Sequence, residues 1–264
     1  MSDRQITATS STPVLEAMNV GMILDKAIHL YTRNFLLLIA ITAIPQVIYS
    51  VGSMVLSWAG GARPGVSLIG AGLVLVSVVA GGIGGGAMTV VVGSRYLGKD
   101  ITFSGAYLAA LRKAGPLIGG TLLAALFIGF GMMGLIVPGL ILAVSYCLTS
   151  PVIMLEGVKG AESLKRSRRL IKGYRWQAFL IYLLYWCALY FVLLVLVLVV
   201  GAFAVLGILV VWRRYSALFL TPVVTVLLGP FSAILSVLLY YGQRIRKESF
   251  DLSFLAEAMA AHVT

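Results

Sequence analysis

Residues 178–212 read AFLIYLLYWCALYFVLLVLVLVVGAFAVLGILVVW, without a single Asp, Glu, Lys, Arg or His. A run this long and apolar does not belong in a soluble core; past about eighteen residues such a stretch is solvated by lipid. Splitting it at Gly201 leaves too few residues for a second crossing. It therefore reads as one helix that tilts, bends near Gly201 or Gly207, or projects from the membrane.

Working outward, five more apolar runs stand at 35–58, 66–92, 117–136, 139–155 and 217–241. Each is near the roughly twenty residues that a crossing requires. The expected fold class is an all-α integral membrane protein with six transmembrane helices plus short cytoplasmic amphipathic helices. Composition agrees: 60% of residues are hydrophobic, 11% are charged, and mean hydropathy is +1.03, whereas soluble domains are about 25% charged. All nine acids and all twenty Lys and Arg fall outside the runs. The net charge of +11 is thereby explained by membrane topology, and no nucleic-acid partner is expected.

Seventeen of the twenty basic residues flank the leader, the segments after the second and fourth runs, and the tail. Three, Arg63, Arg213 and Arg214, fall on the other side. The positive-inside rule then places both termini in the cytoplasm. Spans three and four are joined only by Val137-Pro138-Gly139; whether they cross fully or form a re-entrant pair, the orientation is the same. The domain reading is a disordered leader at 1–13 and a cytoplasmic amphipathic helix at 14–34. A six-helix domain at 35–241 follows, with interfacial helices near 102–113 and 161–175, and a cytoplasmic helix or tail at 242–264. The leader carries Arg4, Glu16, Asp25, Lys26 and Arg33 and lacks the layout of a cleavable signal. Three times a short amphipathic segment (23–33, 102–113, 162–172) runs into a helical hairpin, which is read as a three-fold pseudo-repeat of parallel units.

Three groups of residues stand out. Lys165, Arg166, Arg168, Arg169, Lys172 and Arg175 form a basic segment suited to anionic lipid headgroups or a protein partner. Its bland alternative is a loop that only fixes topology. After the last span, Arg244 with Glu248 and Lys247 with Asp251 stand at i, i+4. The sharper expectation is that Glu248 and Asp251 also dock on the basic segment. Gly81/Gly85 and Gly82/Gly86 are small-xxx-small pairs expected to pack helices. Pro45, Pro151, Pro222 and Pro230 interrupt spans, and are read first as packing kinks and second as breaks that bare carbonyls for a ligand.

No ionisable residue lies mid-span, and proton- or ion-coupled transport generally needs one there. His29 and His262 have no nearby carboxylate cluster, so no catalytic residue, metal or cofactor is expected. Cys147 and Cys187 read as free buried thiols.

These stretches carry a resemblance. Ile23-Leu24-Asp25-Lys26-Ala27 with Tyr31-Thr32-Arg33-Asn34-Phe35, Val137-Pro138-Gly139, and Ser163-Leu164-Lys165-Arg166-Ser167 with Leu170-Ile171-Lys172-Gly173 form its first part. Pro230, Tyr240-Tyr241, and Arg244-Ile245-Arg246-Lys247-Glu248 with Phe250-Asp251-Leu252 complete it. In that order they resemble the bacterial glycerophosphoryl diester phosphodiesterase membrane domain and its stand-alone six-helix relatives. The resemblance implies a bacterial inner-membrane protein. It implies no phosphodiesterase activity, because that belongs to a separate soluble barrel for which no room is read after Leu252.

The functional expectation is a non-catalytic scaffold, accessory subunit or anionic-lipid-associating factor. Its partners would be membrane lipids, a protein partner or a second copy. The rival is a permease or lipid translocator whose uncharged pathway runs beside Pro45, Pro151 and Pro230, built from Gln46, Tyr146, Ser150 and carbonyls. An intramembrane enzyme acting on phospholipid ranks last, for want of an acid/base pair.

Overall fold

A computed structural model describes residues 19–59, 64–205 and 212–248, and among these every regular element is helical. They are α1 (Val20–Arg33), α2 (Phe35–Ala59), α3 (Pro64–Tyr96), α4 (Phe103–Arg112), α5 (Ala114–Gly134) and α6 (Ile136–Tyr146). A single turn, α7 (Thr149–Pro151), widens into a π-helical segment, Val152–Glu156. Then come α8 (Ala161–Ile171), α9 (Arg175–Val205) and α10 (Trp212–Glu248). Six stretches are long and apolar enough to cross a membrane: Phe35–Ala59, Pro64–Tyr96, Ala114–Gly134, Ile136–Glu156, Arg175–Val199 and Thr221–Glu248. The expected leader at 1–13, Gly207, Asp251, His262 and the far tail lie outside the described residues.

The short helices stop for local reasons. Asn34 ends α1, its backbone N–H and side-chain Nδ2 both donating to the orphan carbonyl of Leu30. Lys113 ends α4 in nearly the same backbone geometry (φ −111°, ψ 16°, against −119° and 23° at Asn34). Thr102 starts α4 by accepting a hydrogen bond from Gly105 N. Before α8 the chain reverses through Gly157, whose φ of +76° favours a residue without a Cβ.

The core gathers at one end of the molecule. Ala87 and Val91 of α3, Ala106 and Ala110 of α4, Leu117, Leu148, Ile153, Leu170 and Ile171 meet Leu238 and Tyr240 of α10 there, all essentially without exposure. The far ends are the reverse: Leu68 is 74% exposed, Phe130 70%, Met133 85% and Leu198 62%. Large apolar side chains turned outward over most of a helix fit helices long and apolar enough to cross a membrane. Each short helix packs on the closing helices of the preceding hairpin: α4 on α3, α8 on α6 and the π segment, and α1 on α10.

Several expectations need correction. Helix α8 does not lay its apolar stripe on a lipid surface; Leu164, Ser167 and Ile171 are buried in the protein, because α8 wedges between α5, α6 and α10. Helix α10 begins at Trp212, ahead of its apolar stretch Thr221–Glu248, so Arg213 and Arg214 lie in its first turn. Cys187 faces outward from α9 instead of being buried.

Of the four packing glycines, only Gly86 is a close approach, where a Cβ would overlap Leu117. A Cβ on Gly81 would only graze Pro45, and at Gly82 and Gly85 it would meet nothing. The tight α2–α3 crossing is made elsewhere, at Gly52 and Gly70, where a Cβ would come within 3.0 Å of the other helix's backbone.

Candidate functional site

The site grows from the π segment. Its wide turn buries Val152, Ile153 and Met154 and sets Glu156 at the edge of the core. Ten residues on, Arg166 of α8 grips Glu156 with two donors, Nε to Oε2 at 2.7 Å and Nη2 to Oε1 at 2.9 Å. The same guanidinium reaches α10, where Nη2 donates to Glu248 Oε2 at 2.8 Å and Nη1 to Oε1. Arg244 donates to Glu248 (3.3 Å) and, through Nη1, to the Tyr240 hydroxyl, which in turn donates to Glu156 Oε1 (each 3.0 Å). Two carboxylates and two guanidiniums from three elements thus form a neutral clamp, with side chains 15–31% exposed. Hydrogen bonds to Glu156 and then Glu248 hold the Arg166 pKa above its ordinary value.

Around the clamp, cations tie down backbone. Lys247 Nζ donates to the carbonyls of Arg169 (2.7 Å) and Lys172 (2.5 Å), which are orphan acceptors at the end of α8. Lys113 Nζ caps Met154 O at 2.8 Å. Inside, Ser167 mends the break between α6 and α7, accepting from Leu148 N at 3.2 Å and donating to Ser145 O at 2.8 Å. Helix α8 is thereby fixed on both sides.

The basic segment divides in consequence. Arg166 turns inward and its charge is taken up by carboxylates. Lys165, Arg168, Arg169 and Lys172 lie exposed on the opposite face, and none forms an ion pair with a described carboxylate. Arg175, at the start of α9, is half-buried, and its Nε finds no partner. Of the expected tail pairs, Arg244–Glu248 forms, Glu248 meets the basic segment at Arg166, and Lys247 is engaged with α8 carbonyls.

A second feature lies mid-helix. A cleft of about 360 Å³ opens between α2, α3 and α10, floored by Gly81, Gly84 and Gly85 and edged by Pro45, Gln46, Ser77, Thr225 and Ser232. The carbonyls bared by two prolines do not line it as free acceptors. Pro45 cannot donate to Ile41 O, which accepts instead from the Tyr107 hydroxyl of α4 at 3.0 Å. Pro230 likewise frees Val226 O, and Thr42 Oγ1 lies 3.2 Å from it, sharing its proton with carbonyls of its own helix. Gln46, eleven residues into α2, is among the residues that line the cleft. Among the described residues no three His, Cys, Asp or Glu gather to hold a metal ion.

Sequence reading passed over Glu156, Tyr240 and Ser167 as parts of the site. Glu156 carried one signal: it is the acid that directly abuts the end of an apolar run, which demands a partner. No curated protein and no solved structure matches the chain. One family model does, over residues 101–264, a stretch that runs from the entrance of α4 through every member of the clamp. Because that match covers more than half of the sequence, the chain belongs to the family described as a domain of unknown function, DUF8558.

Proposed function

We propose that this chain is a non-catalytic multi-pass protein of a bacterial inner membrane, with cytoplasmic termini, that gathers anionic lipid on the outer face of α8. In this reading it serves as a scaffold or accessory subunit. The observation that carries the reading is the set Lys165, Arg168, Arg169 and Lys172, exposed together without described carboxylate partners on a helix clamped rigidly to the core. Each such cation near an anionic surface contributes about 1 kcal/mol. The skewed distribution of Lys and Arg supports the orientation; the compartment is what the sequence resemblance to the glycerophosphoryl diester phosphodiesterase membrane domain implies.

The three-fold repeat belongs to the same proposal. It is supported by the matched endings of α1 and α4 and by each short helix resting on the preceding hairpin, with α1 closing the ring on α10.

The test is the combined replacement of Lys165, Arg168, Arg169 and Lys172 by Gln, followed by gentle extraction and mass spectrometry of retained lipid. Anionic lipid is expected to fall several-fold while the protein still inserts. Unchanged retention would sink the proposal, and a stoichiometric protein in the extract would name the scaffold's client.

One observation favours a second reading, an uncoupled carrier of lipid or a small neutral solute. Gln46 lines a cleft halfway along α2, and an amide at that depth is stable only if something bonds to it. Reconstituted protein that accelerates lipid exchange between leaflets, and loses this with Gln46→Leu, would establish the carrier. No acceleration above protein-free vesicles removes it.

A further inference from the structure

Helix α6 turns Val137, Leu140, Ile141 and Val144 to one side, the i, i+3, i+4, i+7 spacing of a single face. Opposite them stand Arg175, Trp176 and Phe179 from the first turns of α9. The groove between has a volume of about 250 Å³, and every lining residue except Arg175 is apolar. The Arg175 Nε is shielded from solvent and has no hydrogen-bond partner. Arg175 also forms no ion pair with a described carboxylate, unlike Arg166 nearby in sequence.

A cation left without an anion beside a hydrocarbon-lined groove selects for an amphiphile. Its charge calls for an anionic oxygen, and the groove offers nothing to a hydrated free ion beyond that one contact. Trp176, 70% exposed at the same helix start, is the kind of side chain that marks headgroup depth. We infer that this groove holds one anionic phospholipid, its phosphate on Arg175 and an acyl chain along Val137, Leu140, Ile141 and Phe179. The inference rests on the anionic-lipid reading and deepens it, because it separates one seated lipid from those gathered loosely by α8.

The experiment is native mass spectrometry of the full-length protein in detergent, titrated with phosphatidylglycerol, phosphatidylcholine or inorganic phosphate. Three variants accompany the natural sequence. Arg175→Gln removes the charge, Ile141→Trp fills the groove but keeps the charge, and Arg175→Lys serves as the conservative control. Thermal melts of each establish that it is folded.

The natural protein should take up one phosphatidylglycerol before any others, in preference to phosphatidylcholine. Arg175→Gln and Ile141→Trp should each weaken that first binding roughly five- to tenfold, with Arg175→Lys partly restoring it. The Gln replacements on α8 should strip later lipids and leave the first. If both Arg175→Gln and Ile141→Trp bind the first lipid as the natural protein does, the site is refuted. Competition by inorganic phosphate would also overturn it, leaving a bare anion site. If instead Arg175→Gln loses the first lipid while the α8 variant loses none, the seated lipid stands and the broader basic-face reading falls.

Discussion

Arg166 and Glu248 stand 82 positions apart in the chain, yet their side chains meet through two hydrogen bonds. The contact joins α8 to the end of α10, and because Arg166 also holds Glu156, it ties the π segment to both. The basic segment therefore contains one residue whose role is structural, set among four that face solution. Inward and outward cations are divided by helical phase: residue 166 lies on a different face from 165, 168, 169 and 172.

Reversing the charge of Glu248 should loosen this junction. Glu248→Lys leaves Arg166 with one carboxylate and sets a third cation beside Arg244. The clamp is part-shielded, so the loss lies between surface and buried values, about 1–3 kcal/mol. Thermal melting in detergent is expected to drop by several degrees. Arg166→Glu in the same chain should recover part of the loss, and an additive double variant would show that the two side chains do not act as a pair.

Substituting glycines should sort them by what a methyl group meets, independent of their spacing in sequence. Gly52→Ala and Gly70→Ala push a Cβ against the backbone of the opposing helix and should destabilise by about 1–3 kcal/mol. Gly82→Ala and Gly85→Ala enter open space and should be neutral or slightly stabilising, since alanine suits a helix better. Melting temperatures of the four single variants check the order; a loss at Gly82 equal to that at Gly52 would contradict the packing.

The same glycines show what was legible in the sequence. Span number, the short helices and the i, i+4 pair of Arg244 with Glu248 follow from local pattern, because lipid and helical periodicity act on neighbouring residues. Which glycines touch is a long-range property: Gly52 and Gly70 come from two helices with no shared motif, whereas the conspicuous run at Gly81–Gly86 mostly floors a cleft. The inward turn of Arg166 was hidden for a similar reason, since its two partners lie on other elements. The amphipathic face of α8 was visible, but an apolar stripe buried in protein has the same sequence signature as one laid on lipid.

Tyr107 and Pro45 make a sharper test of the proline reading. Tyr107→Phe removes the donor to Ile41 O, leaving the carbonyl of a buried residue unsatisfied, and should destabilise by about 0.5–2 kcal/mol. In a Pro45→Ala background the restored N–H of residue 45 can serve Ile41 O itself. Tyr107→Phe should then be nearly neutral, and equal effects in both backgrounds would show that the hydroxyl is not there to replace the missing donor.

Depth is the last expectation that can be checked. Helix α6 runs only eleven residues before it breaks at Cys147, about 16 Å against a hydrocarbon core of about 30 Å. At that break Ser145 O and Leu148 N are already bonded to α8, and Val137 at the far tip lines the same groove as Arg175. If α8 lies at the membrane surface, as the proposed role requires, the expectation is that the α5–α6 hairpin turns back inside the bilayer, even though Ala114–Gly134 and Ile136–Glu156 are each long enough to cross; the parity of the crossings is the same in either case. In a background with Cys147 and Cys187 replaced, Val137→Cys should then resist impermeant maleimide added from either side. Lys165→Cys should react from the cytoplasmic side and Arg63→Cys from the opposite one. Labelling of Val137→Cys from the same side as Arg63→Cys would instead show that α5 and α6 cross fully, so that α8 lies deeper than the headgroups and its cations reach lipid from below the surface.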